Sequence, residues 1–187
     1  PMNAPVLLFV GRIQPLKGLP VAVGALAELH RPDAELVVVG GPSGAEGDRE
    51  LQTVLDLADH LGVRHQIRFV PPQPHHLLST YYRAADVVLV PSRSESFGLV
   101  ALEAAACGVP VVAAAVGGLR TLIDHGETGF LVEQRDPSAF ATAVRSLLAD
   151  PAMDVPAVAA RLGVGLGAAE RLAPKLLSLL APLAAAS

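Results

Sequence analysis

The chain has 187 residues, 51% of them apolar and 17% charged, with a formal net charge of −4 and no Trp. That length is one ordinary domain with room for a substantial core. The acidic balance, with no basic stripe, excludes broad nucleic-acid binding; the lone Cys107 excludes an internal disulfide; and no apolar run is long enough to span a membrane.

Taken in order, short β-branched runs alternate with helical stretches. The pattern predicts strands over 6–10, 35–39, 66–70, 86–90, 111–114 and 129–132. Helices are expected over 17–30, 48–61, 75–85, 97–107, 119–125 and 137–149. Uninterrupted apolar strands separated by helices indicate a parallel sheet covered on both faces, a doubly wound α/β domain of about six strands. In such folds ligands bind outside the carboxyl ends of the strands, where the informative loops of this chain fall.

The first strand runs into Gly11-Arg12-Ile13-Gln14-Pro15-Leu16-Lys17-Gly18. Arg12 offers a planar fork and Lys17 a point charge, a pairing suited to a diphosphate, and Gly11 lets the backbone pass close to a ligand. Taken alone, this loop reads more readily as a solvated basic turn. The second strand ends in Gly40-Gly41-Pro42-Ser43-Gly44, a tight turn without the spacing of a dinucleotide fingerprint or a P-loop. The third ends in Val70-Pro71-Pro72-Gln73-Pro74, a stiff wall from which Gln73 can read the edge of a planar base. His75 and His76 are adjacent rather than four apart, which speaks against metal ligation, and Tyr81-Tyr82 reads as packing.

The stretch Ser94 to Gly108 carries the most chemistry. It follows the fourth strand and opens a helix, with Ser96 as the expected cap and Gly108 as the stop. The uncompensated N–H groups at such a helix start form an anion site. Glu95 lies in the loop and Glu103 about one turn inside the helix, where its side chain leans back toward the same rim. Carboxylates there repel phosphate and accept hydrogen bonds from sugar hydroxyls, so a nucleotide-sugar suits the arrangement. Without further support, Glu95 and Glu103 read equally as a loop charge and a solvated helix position. Cys107, inside the apolar helix, is expected to be a buried, inert thiol, compatible with a cytoplasmic setting.

Five segments in order, FVGRIQPLKG, VVGGPSG, FVPPQ, YRAADVVLVPSRSESFGLVALEAAACGVPVVA and VGGL, together resemble the C-terminal, donor-binding domain of retaining GT-B glycosyltransferases. The resemblance is to the glycogen-synthase-like group with an E-x7-E motif, and it runs from about Val6 to Pro137. Within the group, the first three segments look most like the mycothiol-pathway branch, whose members move N-acetylglucosamine from UDP-GlcNAc to inositol phosphate. The resemblance implies that Arg12 and Lys17 bind the diphosphate and stabilise charge on the departing nucleotide. It implies that Glu95 contacts the transferred sugar and Glu103 the ribose. Phe97, Gly98, Leu99 and Val100 then supply amides around sugar and phosphates, and Gln73 lies on the uracil side. It also implies catalysis that requires no metal, and a peripheral magnesium site at main-chain oxygens of Tyr82, Arg83 and Ala85. The threonine ligand of that site is replaced here by Val109.

Residues 1–150 are therefore expected to be the nucleotide-sugar domain and 151–187 a helical tail, with the N-terminal acceptor-binding domain absent. The expected partner is a nucleotide-sugar, and the chain alone is expected to bind UDP or a UDP-sugar weakly without turnover. A relative using GDP-mannose or another UDP-sugar, and a non-catalytic nucleotide-binding module, are the competing readings. An NAD-dependent enzyme is disfavoured because no G-x-G-x-x-G follows the first strand.

Overall fold

The computed structural model describes residues 4–149, and the tail expected over 151–187 lies outside them. The strands are Val6–Val10 (β1), Glu35–Val39 (β2), Ile67–Val70 (β3), Val87–Val90 (β4), Val111–Ala114 (β5) and Gly129–Val132 (β6). The helices are Leu19–Glu28 (α1), Gly44–His60 (α2), His75–Ala84 (α3), Leu99–Ala106 (α4), Leu119–Leu122 (α5) and Pro137–Ala149 (α6). All pairings are parallel, in the order β3-β2-β1-β4-β5-β6. The doubly wound sheet expected from the sequence is the one observed.

Alternation along the strands divides the core in two. Leu7, Phe9, Leu36, Val38, Val87 and Leu89 pack against α1, α2 and α6 through Leu26, Val54, Phe140 and Val144. Leu8, Val88, Val90, Val111 and Ala113 face the other way, onto Tyr82, Ala101, Ala104 and Leu119 of α3, α4 and α5. With both faces covered, successive residues are buried, which is why the strands read as unbroken apolar runs. Each fully buried aliphatic side chain stabilises the fold by ~1.5–3 kcal/mol.

Helix starts differ most from expectation. The stretch expected to be helical from residue 17 divides into a 3-10 turn, Pro15–Lys17, and α1, because Gly18 adopts φ 72 between them. A Cβ on Gly18 would lie 2.2 Å from the Pro91 carbonyl oxygen, so the break is where two loops touch. Helix α2 starts at Gly44, four residues early, with Glu46 in its first turn where the helix dipole favours an acid. Helix α4 starts at Leu99 rather than 97, and Gly98 takes the cap position at φ 87. Helix α5 is a single turn, since Ile123 is already extended.

Candidate functional site

β1 and β4 are adjacent in the sheet although their connections run to opposite sides, and this reversal of winding is where open α/β sheets leave a crevice. The loop after β1 is pinned at both ends. The Gly11 amide donates to the Val39 carbonyl at 3.0 Å and the Ile13 amide to the Gly41 carbonyl at 2.8 Å, with the Ile13 side chain buried. Arg12, between these anchors, is exposed. Further along, the Lys17 Nζ donates to Glu95 Oε2 at 2.7 Å, joining the loop after β1 to the loop after β4. The Arg93 amide makes a second link, donating to the Leu16 carbonyl at 2.8 Å.

Glu95 is held from behind by the loop after β5. The Gly118 amide donates to the Glu95 carbonyl at 2.9 Å. Neighbouring Gly117 has φ 47, and a Cβ there would lie 1.9 Å from that same carbonyl oxygen, so only glycine allows the approach. Ser96, the expected cap of α4, is exposed, and no side chain caps this helix. The start of α4 thus keeps its first-turn amides without a side-chain partner. Phe97 beside them is 46% exposed, Gly98 is buried, and Leu99 and Val100 are half-buried.

Glu103 is not the solvated position that helical spacing alone allows. The Tyr82 hydroxyl donates to its Oε2 at 2.6 Å, and its Oε1 is 2.9 Å from His75 Nε2. Tyr82 is 1% exposed; burial, reinforced by the Glu103 charge, pushes its phenol well above the ordinary value, so the hydroxyl keeps its proton. The sequence alone assigns the Tyr82 side chain to packing, with its main chain in the expected magnesium set, and gives His75 no role. A signal was present: Glu103 is the one polar residue of α4, and a tyrosine buried beside such a helix needs an acceptor.

Arg135, in the loop after β6, was also missed. Its Nε donates to the Pro91 carbonyl at 3.0 Å, at the end of β4, and burial, then the neighbouring Arg93 charge, lowers its pKa. Gln73 is half-buried with its Nε2 donating to the Pro71 carbonyl at 2.9 Å, so its side-chain amide is turned onto its own loop. Cys107 is half-buried rather than buried. The main-chain oxygens of Tyr82, Arg83 and Ala85 lie at the end of α3, where the Tyr82 carbonyl already accepts from the Ala85 amide at 3.0 Å. Val109 is buried and supplies no side-chain oxygen, so the expected magnesium set is incomplete here. Among the described residues, no group of three His, Cys, Asp or Glu side chains can hold a metal ion, and no helix is long and apolar enough to cross a membrane. A cavity of about 410 Å³ lies elsewhere, against β6 and α6, lined by residues such as Phe130, Val132 and Ala139 and by none of the site residues above.

The chain matches the family described as Glycosyl transferases group 1 over residues 1–161. It is 53% identical over 152 residues to a D-inositol 3-phosphate glycosyltransferase of Frankia alni, a match covering 78% of this chain and 37% of that protein. The chain thus spans a little over a third of the length of the curated relatives it matches. Among solved structures, it resembles a sucrose-phosphate synthase from Thermosynechococcus elongatus (TM-score 0.81, 36% identity, covering 100% of this chain and 47% of that one). It also resembles Anabaena Alr3699/HepE in complex with UDP (TM-score 0.78, 26% identity, covering 95% and 50%). With the family match running through every loop at the switch point, on a six-stranded parallel sheet like that of its GT-B neighbours, this chain belongs to the group 1 glycosyl transferases.

Proposed function

We propose that the chain is the donor-binding half of a retaining glycosyltransferase that moves N-acetylglucosamine from UDP-GlcNAc to an acceptor such as inositol phosphate. The observation that carries the reading is the 2.7 Å contact of Lys17 with Glu95 across the β1–β4 switch point, beside the uncapped start of α4. A cation for phosphate and a carboxylate for a sugar are thereby neighbours, as a glycosyl phosphate bond requires. The UDP complex of a structural neighbour and the inositol phosphate named for a relative support the nucleotide and acceptor classes.

In this reading the amides of Phe97 to Val100 cradle phosphate and sugar, and Gly11 lets the backbone of the loop after β1 approach. Lys17 and Arg12 stabilise negative charge as UDP departs, an electrostatic term that is often the largest contribution to rate. Glu95 accepts hydrogen bonds from hydroxyls of the transferred sugar, and Glu103 from the ribose. The main chain of the loop bearing Gln73 borders the base, since the Gln73 side chain is already engaged. In this reading these residues stabilise the leaving group by their own charge. The acceptor domain lies in the further length of the relatives, and the setting is cytoplasmic.

Competition of labelled UDP against UDP and GDP tests the donor, with uridine preference expected; preference for GDP would transfer the reading to a GDP-mannose enzyme. Once the chain is joined to an acceptor domain, the anomeric configuration of the product, followed by NMR, tests retention. An inverted product would sink the mechanism. Nucleotide binding without transfer in that joined protein would instead mark a non-catalytic module.

A further inference from the structure

Both oxygens of Glu103 already accept one hydrogen bond from the protein, as a carboxylate held ready for a ligand requires. An ionised carboxylate offers about four acceptor sites, two on each oxygen. Tyr82 takes one on Oε2 at 2.6 Å, and His75 Nε2, which carries the proton since a carboxylate only accepts, takes one on Oε1 at 2.9 Å. One site remains on each oxygen. That remainder suits a vicinal diol, which presents two donors side by side, whereas a single hydroxyl would fill only one of the two sites.

We propose that Tyr82 and His75 are positioning residues that orient Glu103 and make the site selective for a nucleotide with an intact ribose diol. The proposal rests on the reading of Glu103 as the ribose acceptor and adds what fixes its geometry. Tyr82 suits the task because it is almost wholly buried under α4, so its hydroxyl has few other places to point. His75 comes from the first turn of α3, and the two residues together tie α3 to a side chain of α4 from opposite ends of one helix. Without them the carboxylate can rotate about its last torsion, which is broad and soft, and the diol must order it on binding.

The test is calorimetric titration of UDP and of 2′,3′-dideoxy-UDP into the 187-residue chain, its Tyr82→Phe variant and its His75→Ala variant. The unaltered chain is expected to prefer UDP by about tenfold or more, since charge-assisted hydrogen bonds are lost with the hydroxyls. In Tyr82→Phe the preference is expected to shrink to about threefold or less, with the dideoxy affinity unchanged. A merely structural role would weaken both nucleotides alike. Should Tyr82→Phe fail to fold, as read by its circular dichroism, His75→Ala carries the test, because His75 lies at the helix start and is only partly buried. Binding without preference, or no binding, by the unaltered chain would remove the ribose reading of Glu103 and this proposal with it. A preference in the unaltered chain that persists in both variants would overturn the positioning role alone.

Discussion

Lys17 and Glu95 form a pair whose partners are proposed to serve different parts of one ligand. The ammonium and carboxylate are 2.7 Å apart and mostly screened from solvent by the two loops that carry them. A diphosphate competes with Glu95 for Lys17, so the two substitutions should act in opposite directions on UDP. Lys17→Ala is expected to weaken UDP binding by roughly 10–100-fold, the range for losing a hydrogen bond to a charged group. Glu95→Gln removes a negative charge beside the phosphates and should tighten UDP several-fold while abolishing any preference for the UDP-sugar over UDP. Calorimetry on both variants checks the pair; equal weakening in both would show that the contact only braces the loops. Tyr82 supplies a pH dependence with a definite sign. Its folded pKa is raised, so above the ordinary phenol value of about 10 the native state holds a proton that the unfolded chain releases. Its contribution to stability is complete below about pH 10 and is lost as the pH climbs toward the folded value. Urea midpoints measured between about pH 9 and 11 should therefore fall less steeply in Tyr82→Phe than in the unaltered chain.

The strand-end loops act as one interlocked unit. The loop after β2 supports the loop after β1, the loop after β1 touches the end of β4, and the loop after β5 backs the Glu95 segment. Three glycines make these close approaches possible, Gly40 against Gly11, Gly117 against Glu95 and Gly18 against Pro91. Gly117→Ala must place a side chain in a left-handed conformation and displace the Glu95 carbonyl. Strain of this kind costs about 1–3 kcal/mol, and the overlap adds to it. The expected outcome is a melting temperature lower by several degrees, together with weaker UDP binding because Glu95 moves. Retained stability with lost binding would place the effect in the loop alone, and no change in either would refute the interlock. Arg135 reaches the same unit from β6 through Pro91, so three further strands brace the two loops at the centre.

At the scale of the molecule, the strand order decides where chemistry can occur. Reversal of winding between β1 and β4 opens one edge of the sheet, and the residues proposed to bind the donor come from the loops and helices along it. That edge holds groups suited to a nucleotide-sugar, whereas an acceptor needs a second wall. We therefore expect UDP binding by the 187-residue chain with no transfer of sugar to inositol phosphate. Joining it to the N-terminal part of a relative should restore transfer, measured as UDP release dependent on acceptor. Transfer by the chain alone would contradict the proposed division of labour between donor and acceptor domains.

The strands and the sheet class were legible without coordinates, because apolar runs of four or five residues at regular intervals have few other uses. The loops bearing Arg12, Lys17 and Glu95, and the helix bearing Glu103, were legible as well, since motif order places them after strand ends. The starts of α1 and α4 were not: Gly18 breaks a helix where the Pro91 loop comes close, Gly98 delays one beneath Leu119 and Leu122 of α5, and neither proximity is local. The partners of Glu103 were hidden in the same way. His75 and Tyr82 lie 28 and 21 residues upstream, and only the packing of α3 beside α4 brings a histidine and a buried phenol onto one carboxylate. Local pattern determined which segments become strands and which loops hold charge; tertiary contact alone decided which charges meet.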